Sequence, residues 1–302
     1  MSSPARFQTT PFEKGSGELA EALGWLTDLG VRNDTSRFSS YKKILDDFNA
    51  GYTPEDLVRR GYTNSHLYNA MLESEELFRI YSAFKHTSSP GIVQRLKHLI
   101  QGPQAYVNEN VSASSNRARN FGFELALMAN ASMNGLEIME SNTADIAFRF
   151  GSHSFLVQCK RPQAILKALP RAKEAVKQLE QCYLSESKPR TRGIVALDLS
   201  KALNPRYLMP RFGSKDALDY ALSAAMKKLL VSMRANRPTV EDGRTIAILV
   251  RVRHVASLAI APTPEPCVCE QIGISPLPHV THLQDEMLRN LTSHLSWPAN
   301  AA

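Results

Sequence analysis

Apolar side chains recur every three or four positions through the first hundred residues, which is the spacing of amphipathic helices. In the longest such segment, Leu67, Met71 and Phe78 fall on one helical face. Together with N-terminal capping residues and glycine stops, the pattern predicts helices over 17–29, 36–48, 53–60, 64–84 and 91–101. We therefore expect this part of the chain to be all-helical.

The composition changes between residues 101 and 115 to Gly, Pro, Asn and Ser, ending in the run Asn-Glu-Asn-Val-Ser-Ala-Ser-Ser. Such a stretch is typical of a linker. It predicts two units: a helical N-terminal domain with its linker over 1–115, and a second domain over 116–302.

The second unit alternates between helical and strand periodicity. We predict a helix over 117–133, a strand over 136–140, a hairpin over 144–160, a helix over 163–184, a strand over 193–199, a helix over 216–235, a strand over 245–254 and a last helix over 283–295. A proline-rich stretch with Pro262, Pro264, Pro266, Pro276 and Pro278 precedes the last helix, and no strand is predicted there. The fold class is α/β.

The hairpin carries polar residues at regular positions. A two-residue turn at Gly151-Ser152 places Asp145 directly opposite Gln158. Because side chains alternate between the faces of a strand, Lys160 then lies on the same face, two residues further on. Three polar groups are thus expected to converge on one patch.

A fourth polar residue, Glu124, belongs to the helix that precedes the hairpin. Its neighbours at helical spacing are Phe121, Leu127, Met128 and Ala131, so the carboxylate lies on an apolar stripe and needs a partner. If this helix packs on the sheet, Glu124 can reach the patch of Asp145. Two carboxylates and an amide oxygen suit a hard divalent cation such as Mg²⁺, and a nearby lysine can orient a water or, as the neutral amine, deprotonate it. The pattern therefore predicts phosphodiester hydrolysis.

At these positions the sequence resembles the PD-(D/E)XK nuclease superfamily, which has the restriction-endonuclease-like fold. The resemblance covers about residues 116–200. The segment Asn120-Phe-Gly-Phe-Glu124 is similar to the helix with the first acid, Ala144-Asp145-Ile146 to the strand with the metal-binding aspartate, and Gln158-Cys159-Lys160 to the final motif. Ala144 replaces the motif proline. Gln158 stands where an acid is usual, as in the Mrr-like restriction branch.

The resemblance implies a core of helix, three-stranded meander, helix and strand. It also implies a site in which Asp145, Gln158, Lys160 and Glu124 are catalytic. The ion would be Mg²⁺, with Mn²⁺ as the alternative, and its ligands would be Asp145, Gln158, Glu124 and the main-chain carbonyl of Cys159. One other lysine has an acid two positions earlier, in Glu186-Ser187-Lys188, but that motif abuts Pro189 and reads as a loop.

Charge favours a polyanionic partner. The chain has 36 basic and 29 acidic residues, and the stretch 160–192 alone has nine basic against three acidic residues. In the predicted helix over 163–184, Ile165, Leu169, Ala172, Val176, Leu179 and Tyr183 form an apolar seam. Lys167, Arg171, Lys173 and Lys177 project elsewhere, so we expect them to contact nucleic acid, DNA before RNA.

Two other function classes stay open: a protein of the same fold that binds nucleic acid without cutting it, and an interaction protein that acts through its N-terminal helices.

We expect no membrane partner and a cytoplasmic location, because the sequence has neither a long apolar run nor a signal-peptide core. The oligomeric state is open, with a dimer as one option. Zinc has weaker support, since Cys267, Cys269, His279 and His282 match no usual spacing. Asp198 is interpreted as a strand-terminal cap.

Overall fold

The computed structural model describes residues 6–11, 15–52, 54–87, 89–104, 113–185, 190–259 and 265–297, and it shows a mixed α/β architecture. The helices are α1 (Gly15–Asp28), α2 (Arg37–Asn49), α3 (Pro54–Arg59), α4 (Asn64–Phe84), α5 (Pro90–Leu99), α6 (Ala113–Met133), α7 (Ala168–Ser185), α8 (Ser200–Leu203), α9 (Lys215–Ala235) and α10 (His282–Leu295). The strands are β1 (Arg6–Pro11), β2 (Glu137–Met139), β3 (Ile146–Phe150), β4 (His153–Lys160), β5 (Thr191–Asp198), β6 (Arg211–Phe212), β7 (Thr245–Leu258) and β8 (Glu265–Pro276).

The strands form one mixed sheet in the order β1-β8-β7-β5-β4-β3-β2, and β6 pairs with β7 outside this path. The meander β2-β3-β4 is antiparallel, whereas β4, β5 and β7 run parallel. Parallel neighbours need a crossover connection, and α7 supplies it between β4 and β5. The α/β class predicted from the sequence is therefore confirmed, and the finer restriction-endonuclease-like assignment stays a prediction.

The register of the β3–β4 hairpin agrees with the two-residue turn expected from the sequence. Phe150 is paired with His153 and Ile146 with Val157, which leaves Asp145 at the position facing Gln158. Alternate residues of β4 enter two separate cores: Phe155 and Val157 join the core on the α6 side, and Leu156 joins the core on the α7 side. The sheet is thus covered on both faces, as expected where parallel strands occupy its centre.

The N-terminal helices lie within a residue or two of their predicted bounds, and α4 matches at both ends. Thr63 caps this helix, because its hydroxyl accepts the N–H of His66 while the His66 ring accepts the N–H of Thr63. The expectation of an all-helical N-terminal part is wrong at one place: β1 is a strand and pairs with β8 at the end of the sheet.

The proline-rich stretch contains the long strand β8, which the sequence pattern did not predict. Pro266 and Pro276 lie near its two ends, outside the segment 267–272 that pairs with β1. Among the described residues, those two positions have a ladder partner on the β7 side only. A missing N–H is therefore tolerated there.

The two predicted units share one continuous hydrophobic core. Leu77 and Ile80 of α4 belong to the same buried cluster as Phe123 of α6, Ile146 of β3 and Leu249 of β7. Most of the predicted linker, residues 105–112, lies outside the described residues. The boundary at residue 115 stays a prediction, but the helices before it are packed on the sheet that follows it.

Buried charges also join α4 to the sheet. We call this set the arginine–glutamate network, and its members are Glu75, Glu76 and Arg79 of α4, Arg251 and Arg253 of β7, and Glu270 of β8. The Arg251 Nη1 atom lies 2.7 Å from Glu76 Oε1, and Glu270 contacts both Arg79 and Arg251. Burial alone would raise the pKa of Glu270, but the neighbouring arginines lower it to about 2.

Glu270→Gln should destabilise the protein strongly, because it leaves the charges of Arg79 and Arg251 buried without their shared carboxylate. The expected loss in the free energy of unfolding is about 3–5 kcal/mol, measured by urea denaturation at pH 7. Asp285→Asn is the matched control, since it breaks the exposed ion pair with Arg289 and should cost at most ~1 kcal/mol. Equal effects of the two substitutions would contradict the structural role of the network.

Candidate functional site

Asp145 lies immediately before β3, where the chain enters the hairpin. Its Oδ2 atom accepts the main-chain N–H of Cys159 at 2.8 Å, so a hydrogen bond across the hairpin holds the carboxylate. The main-chain carbonyl of Asp145 accepts a hydrogen bond from Arg95 Nη2 at 3.0 Å. Asp145 is thereby fixed from two directions, by β4 and by α5.

Gln158 is buried on β4 and faces α7. Its Nε2 atom donates to the carbonyl of Thr143 at 3.1 Å and lies 3.8 Å from the sulfur of Cys182. Asp145 and Gln158 line the same small cavity of about 320 Å³, whose other walls are Thr143, Gln178, Gln181 and Cys182. The amide oxygen of Gln178 is buried and has no hydrogen-bond partner. The juxtaposition of Asp145 and Gln158 expected from the hairpin is therefore present.

Lys160 lies at the end of β4, with only 15% of its side chain exposed. Its Nζ atom is 3.4 Å from Oε1 of Glu174 on α7, and Glu174 also accepts a hydrogen bond from Arg171 at 2.6 Å. These two cations outweigh the effect of partial burial and lower the pKa of Glu174. Glu174 thus keeps its negative charge and holds the ammonium of Lys160 in place.

Glu174 was not predicted from the sequence as a site residue. In the sequence it is one of three acids in a basic stretch, and it looks like an ordinary surface residue of α7. Only the packing of α7 against β4 brings it to Lys160.

Glu124 is buried on α6, and its carboxylate faces the same region as Asp145. Burial raises the pKa of Glu124 to about 8, and the negative charge of Asp145 adds to this effect. Arg95 and Lys160 act in the opposite direction and are outweighed. Burial also raises the pKa of Asp145, although the Cys159 N–H, Lys160 and Arg95 oppose the shift. The helix therefore does direct its carboxylate towards the Asp145 patch, as its position on an apolar stripe suggested.

Arg95 is the second residue that sequence reasoning missed. It comes from α5, 50 positions before Asp145, and its Nε atom lies 3.6 Å from Oε2 of Glu124. No motif or periodicity links the two positions. The contact exists only because α5 packs along α6.

The donor set fits a hard divalent cation. The carboxylates of buried Glu124 and half-buried Asp145 have raised pKa values although Arg95 and Lys160 are near, and the buried amide oxygen of Gln178 in the adjoining cavity has no hydrogen-bond partner among the described residues. Within the described ranges, no three His, Cys, Asp or Glu side chains cluster as a metal site. A cation here would therefore need neutral oxygen ligands, from Gln158 and from main-chain carbonyls such as that of Cys159.

Lys167 lies in the 3-10 turn before α7, and Arg171, Lys173 and Lys177 lie on α7. Lys167, Arg171, Lys173 and Lys177 are all exposed, as expected for side chains that project away from the core. Ala172, Val176, Leu179 and Tyr183 form the buried seam. The expectation that Ile165 belongs to the seam is wrong. Ile165 lies in a 3-10 turn before α7 and is 41% exposed, because the helix starts at Ala168, with Pro170 in its first turn.

Asp198 follows Leu197, the β5 residue that is paired with Lys160, and its Oδ2 atom lies 3.4 Å from Nε of Arg161. Asp198 accepts hydrogen bonds from the main-chain N–H and hydroxyl of Ser200, which confirms its interpretation as a cap. Cys267 and Cys269 are buried on β8, with sulfurs 3.8 Å apart. Residues 186–189, which contain the second lysine motif, lie outside the described residues.

Comparisons of the chain with protein-family models, with curated proteins and with solved structures found no match. The resemblance to the PD-(D/E)XK superfamily therefore stays a prediction from the motif residues. In the part of the chain that the structure describes, no helix has the length and apolar character needed to cross a bilayer.

Glu124→Gln should raise the melting temperature in EDTA, and the gain should grow with pH. Because the pKa of Glu124 is about 8 in the folded protein and near 4.5 when unperturbed, unfolding at neutral pH releases a proton. The free energy of unfolding of the wild type, compared with that of the variant, therefore decreases as the pH rises from about 4.5 to about 8. Above pH 8 the difference between the two proteins no longer changes. Thermal melts of both proteins at pH 5, 7 and 9 measure the difference. A variant that is less stable at all three values would show that the pair with Arg95 outweighs the cost of burial.

Proposed function

We propose that this protein is a Mg²⁺-dependent nuclease that hydrolyses phosphodiester bonds of DNA, as an endonuclease. One observation supports the proposal above all: the buried, mutually repelling carboxylates of Glu124 and Asp145 lie near the ammonium of Lys160, at the end of the hairpin. This is the combination of charges that metal-assisted phosphoryl chemistry requires.

Asp145, Glu124, the amide oxygen of Gln158 and the main-chain carbonyl of Cys159 would hold the ion. When bound, Mg²⁺ supplies a Lewis acid for the phosphate and a more acidic bound water. The protein holds Asp145 in one orientation through the N–H of Cys159. Glu124 must release its proton before it can act as a charged ligand, and Glu124→Gln should therefore lose Mg²⁺-dependent activity.

Lys160 would act on the substrate side of the site. Glu174 keeps its ammonium in place, and the N–H donors that do not face Glu174 can orient the attacking water and stabilise the negative charge that develops on the phosphate oxygens. Arg171 of α7 contacts that same carboxylate. A DNA backbone bound with a phosphate at Lys160 could also contact the exposed side chains of Lys167, Lys173 and Lys177.

A second candidate function is binding of nucleic acid without cleavage. It is favoured by the hydrogen bond from Gln158 Nε2 to the carbonyl of Thr143. Gln158 stands where an acidic metal ligand is usual, and this bond engages its side chain within the protein. Purified protein incubated with supercoiled plasmid and Mg²⁺ or EDTA separates the two functions. Mg²⁺-dependent nicking or linearisation supports the nuclease, and EDTA-insensitive binding without product supports the alternative.

Lys160→Ala should abolish cleavage while folding and DNA binding stay nearly unchanged, because it removes one transition-state contact at a partly exposed position. We expect at least a hundredfold loss in the rate of plasmid cleavage, with a dissociation constant for DNA within about threefold of wild type. Lys43→Ala is the matched control, since Lys43 is exposed on α2 and is remote from the site in sequence. A folded Lys160→Ala protein with normal turnover would contradict the assignment of this lysine.

Gln158→Glu should increase the affinity for Mg²⁺, because a charged oxygen replaces a neutral one beside Asp145. In the metal-free protein the same change should lower the melting temperature, since the new carboxylate would face the Thr143 carbonyl in place of a donating amide. Calorimetric titration with Mg²⁺ measures the first effect and thermal melts in EDTA the second. Gln158→Met, of similar size but without an oxygen, is the control and should weaken Mg²⁺ binding. Weaker binding by Gln158→Glu would remove Gln158 from the ligand set.

A further inference from the structure

A second and larger cavity opens on the other side of Asp145. It has a volume of about 540 Å³ and lies between the end of α4, α5, α6 and the loop from β2 to β3. We call it the α5–α6 pocket. Its volume is in the range of roughly 300–1,000 Å³ that is usual for small-molecule sites. Neither Gln158 nor Lys160 lines it, so it is separate from the small cavity next to α7.

The lining of this pocket is mixed, with slightly more polar than apolar surface. Phe84, Ile92 and Met128 provide apolar contacts, whereas the loop after β2 contributes Glu140, Ser141 and Asn142. A flat ring with hydrogen-bonding edges, such as a nucleobase, matches this division. The ring can pack against the apolar side chains while its edge meets hydroxyl and amide groups.

Arg95 and Asp145 mark the end of the pocket that adjoins the candidate catalytic site. The Arg95 side chain is 24% exposed, its buried Nε atom lies 3.6 Å from Oε2 of Glu124, and its Nη2 atom donates to the Asp145 carbonyl, so a ligand in the pocket would meet the exposed part of this side chain. Guanidinium groups bind phosphate oxygens well. A phosphate next to Arg95 would lie beside Asp145, at the point where the proposed chemistry takes place.

We propose that the α5–α6 pocket binds one unpaired nucleotide of the substrate strand, next to the phosphate that is cut. This inference rests on the proposed function. A base that is paired and stacked within a duplex cannot enter a recess of this size, so the nucleotide must be single-stranded or rotated out of the helix. The N-terminal helices would then take part in substrate recognition, because α4 and α5 form one side of the pocket and supply Arg95.

The test uses variants that fill the pocket without changing the proposed ligands or Lys160. Ser132→Phe adds a ring from the last turn of α6, and Gly91→Leu adds a side chain from α5, where a new Cβ would meet Arg95 Nη1 at an ordinary 3.7 Å. Met133→Phe is the matched control, since Met133 is exposed on the neighbouring position of α6 and does not line the pocket. Thermal melts establish that each variant is folded.

The probe is a twelve-nucleotide DNA with one central 2-aminopurine, used as a single strand and as a duplex. We expect Ser132→Phe and Gly91→Leu to weaken binding of the single strand at least tenfold, and to remove the change in 2-aminopurine fluorescence seen with wild type. Met133→Phe should bind as wild type does. Mg²⁺ affinity, measured by calorimetry, should be within about threefold of wild type for all three variants.

The outcomes separate this inference from the nuclease proposal. If wild type cleaves plasmid and both filling variants bind and cleave as well as wild type, the pocket is not a nucleotide site and the nuclease proposal stands. If wild type binds the oligonucleotide in EDTA, cuts nothing and loses binding in the filling variants, the pocket stands and the nuclease proposal fails. If wild type binds neither form of the probe, both are overturned.

Discussion

The arginine–glutamate network is the interaction on which the rest of the structure depends. Three arginines and three glutamates lie between α4 and the β7–β8 strands, and all of them are buried except Glu76, which is partly exposed. Their charges compensate one another through close ion pairs. The loss of one partner leaves an uncompensated charge in a medium of low dielectric constant, which is far more costly than the loss of a surface pair. The network therefore fixes one position of the helical layer on the sheet. Because α5 follows α4 directly, it also fixes where Arg95 meets Asp145.

The candidate site shows the opposite arrangement of charge. In the network every carboxylate is matched by guanidinium groups, and the pKa of Glu270 is low. Around Asp145 the carboxylates of Asp145 and Glu124 have two close cations, Arg95 and Lys160, yet burial raises the pKa of Glu124 to about 8. The pairing is looser than in the network: Arg95 Nε is 3.6 Å from Glu124, whereas Arg251 Nη1 is 2.7 Å from Glu76. Weakly compensated carboxylates in an interior where other charges are closely paired are what a cation-binding site needs, because ion binding recovers the free energy that their burial costs.

The sheet separates two environments that the proposed reaction would use together. On the α7 face lie Gln158, the small amide-lined cavity and the exposed basic residues. On the α6 face lie Glu124, Arg95 and the α5–α6 pocket. Asp145 precedes β3 at the edge between them and lines both cavities. The two cavities meet at this one residue because the hairpin begins there, and backbone outside the ladder can contact both faces of a sheet.

The sequence by itself determined the local elements and the hairpin. Helical periodicity predicted both ends of α4 correctly. Strand alternation with a two-residue turn predicted the register that places Asp145 opposite Gln158. Both features follow from contacts between residues that are close in the chain. Only the tertiary structure decided the strand character of β1 and β8, the pairing of Lys160 with Glu174 and the approach of Arg95 to Glu124. These features depend on contacts between distant segments. The residues next to a proline at a strand end, or next to an arginine on a helix, do not indicate which distant residue will pair with it. The shared core also depends on contacts between distant segments. The linker composition between residues 101 and 115 indicates a break in local structure, but the two sides of that break pack together in one core. Buried ion pairs add to this packing, and the pattern of hydrophobic positions does not record them.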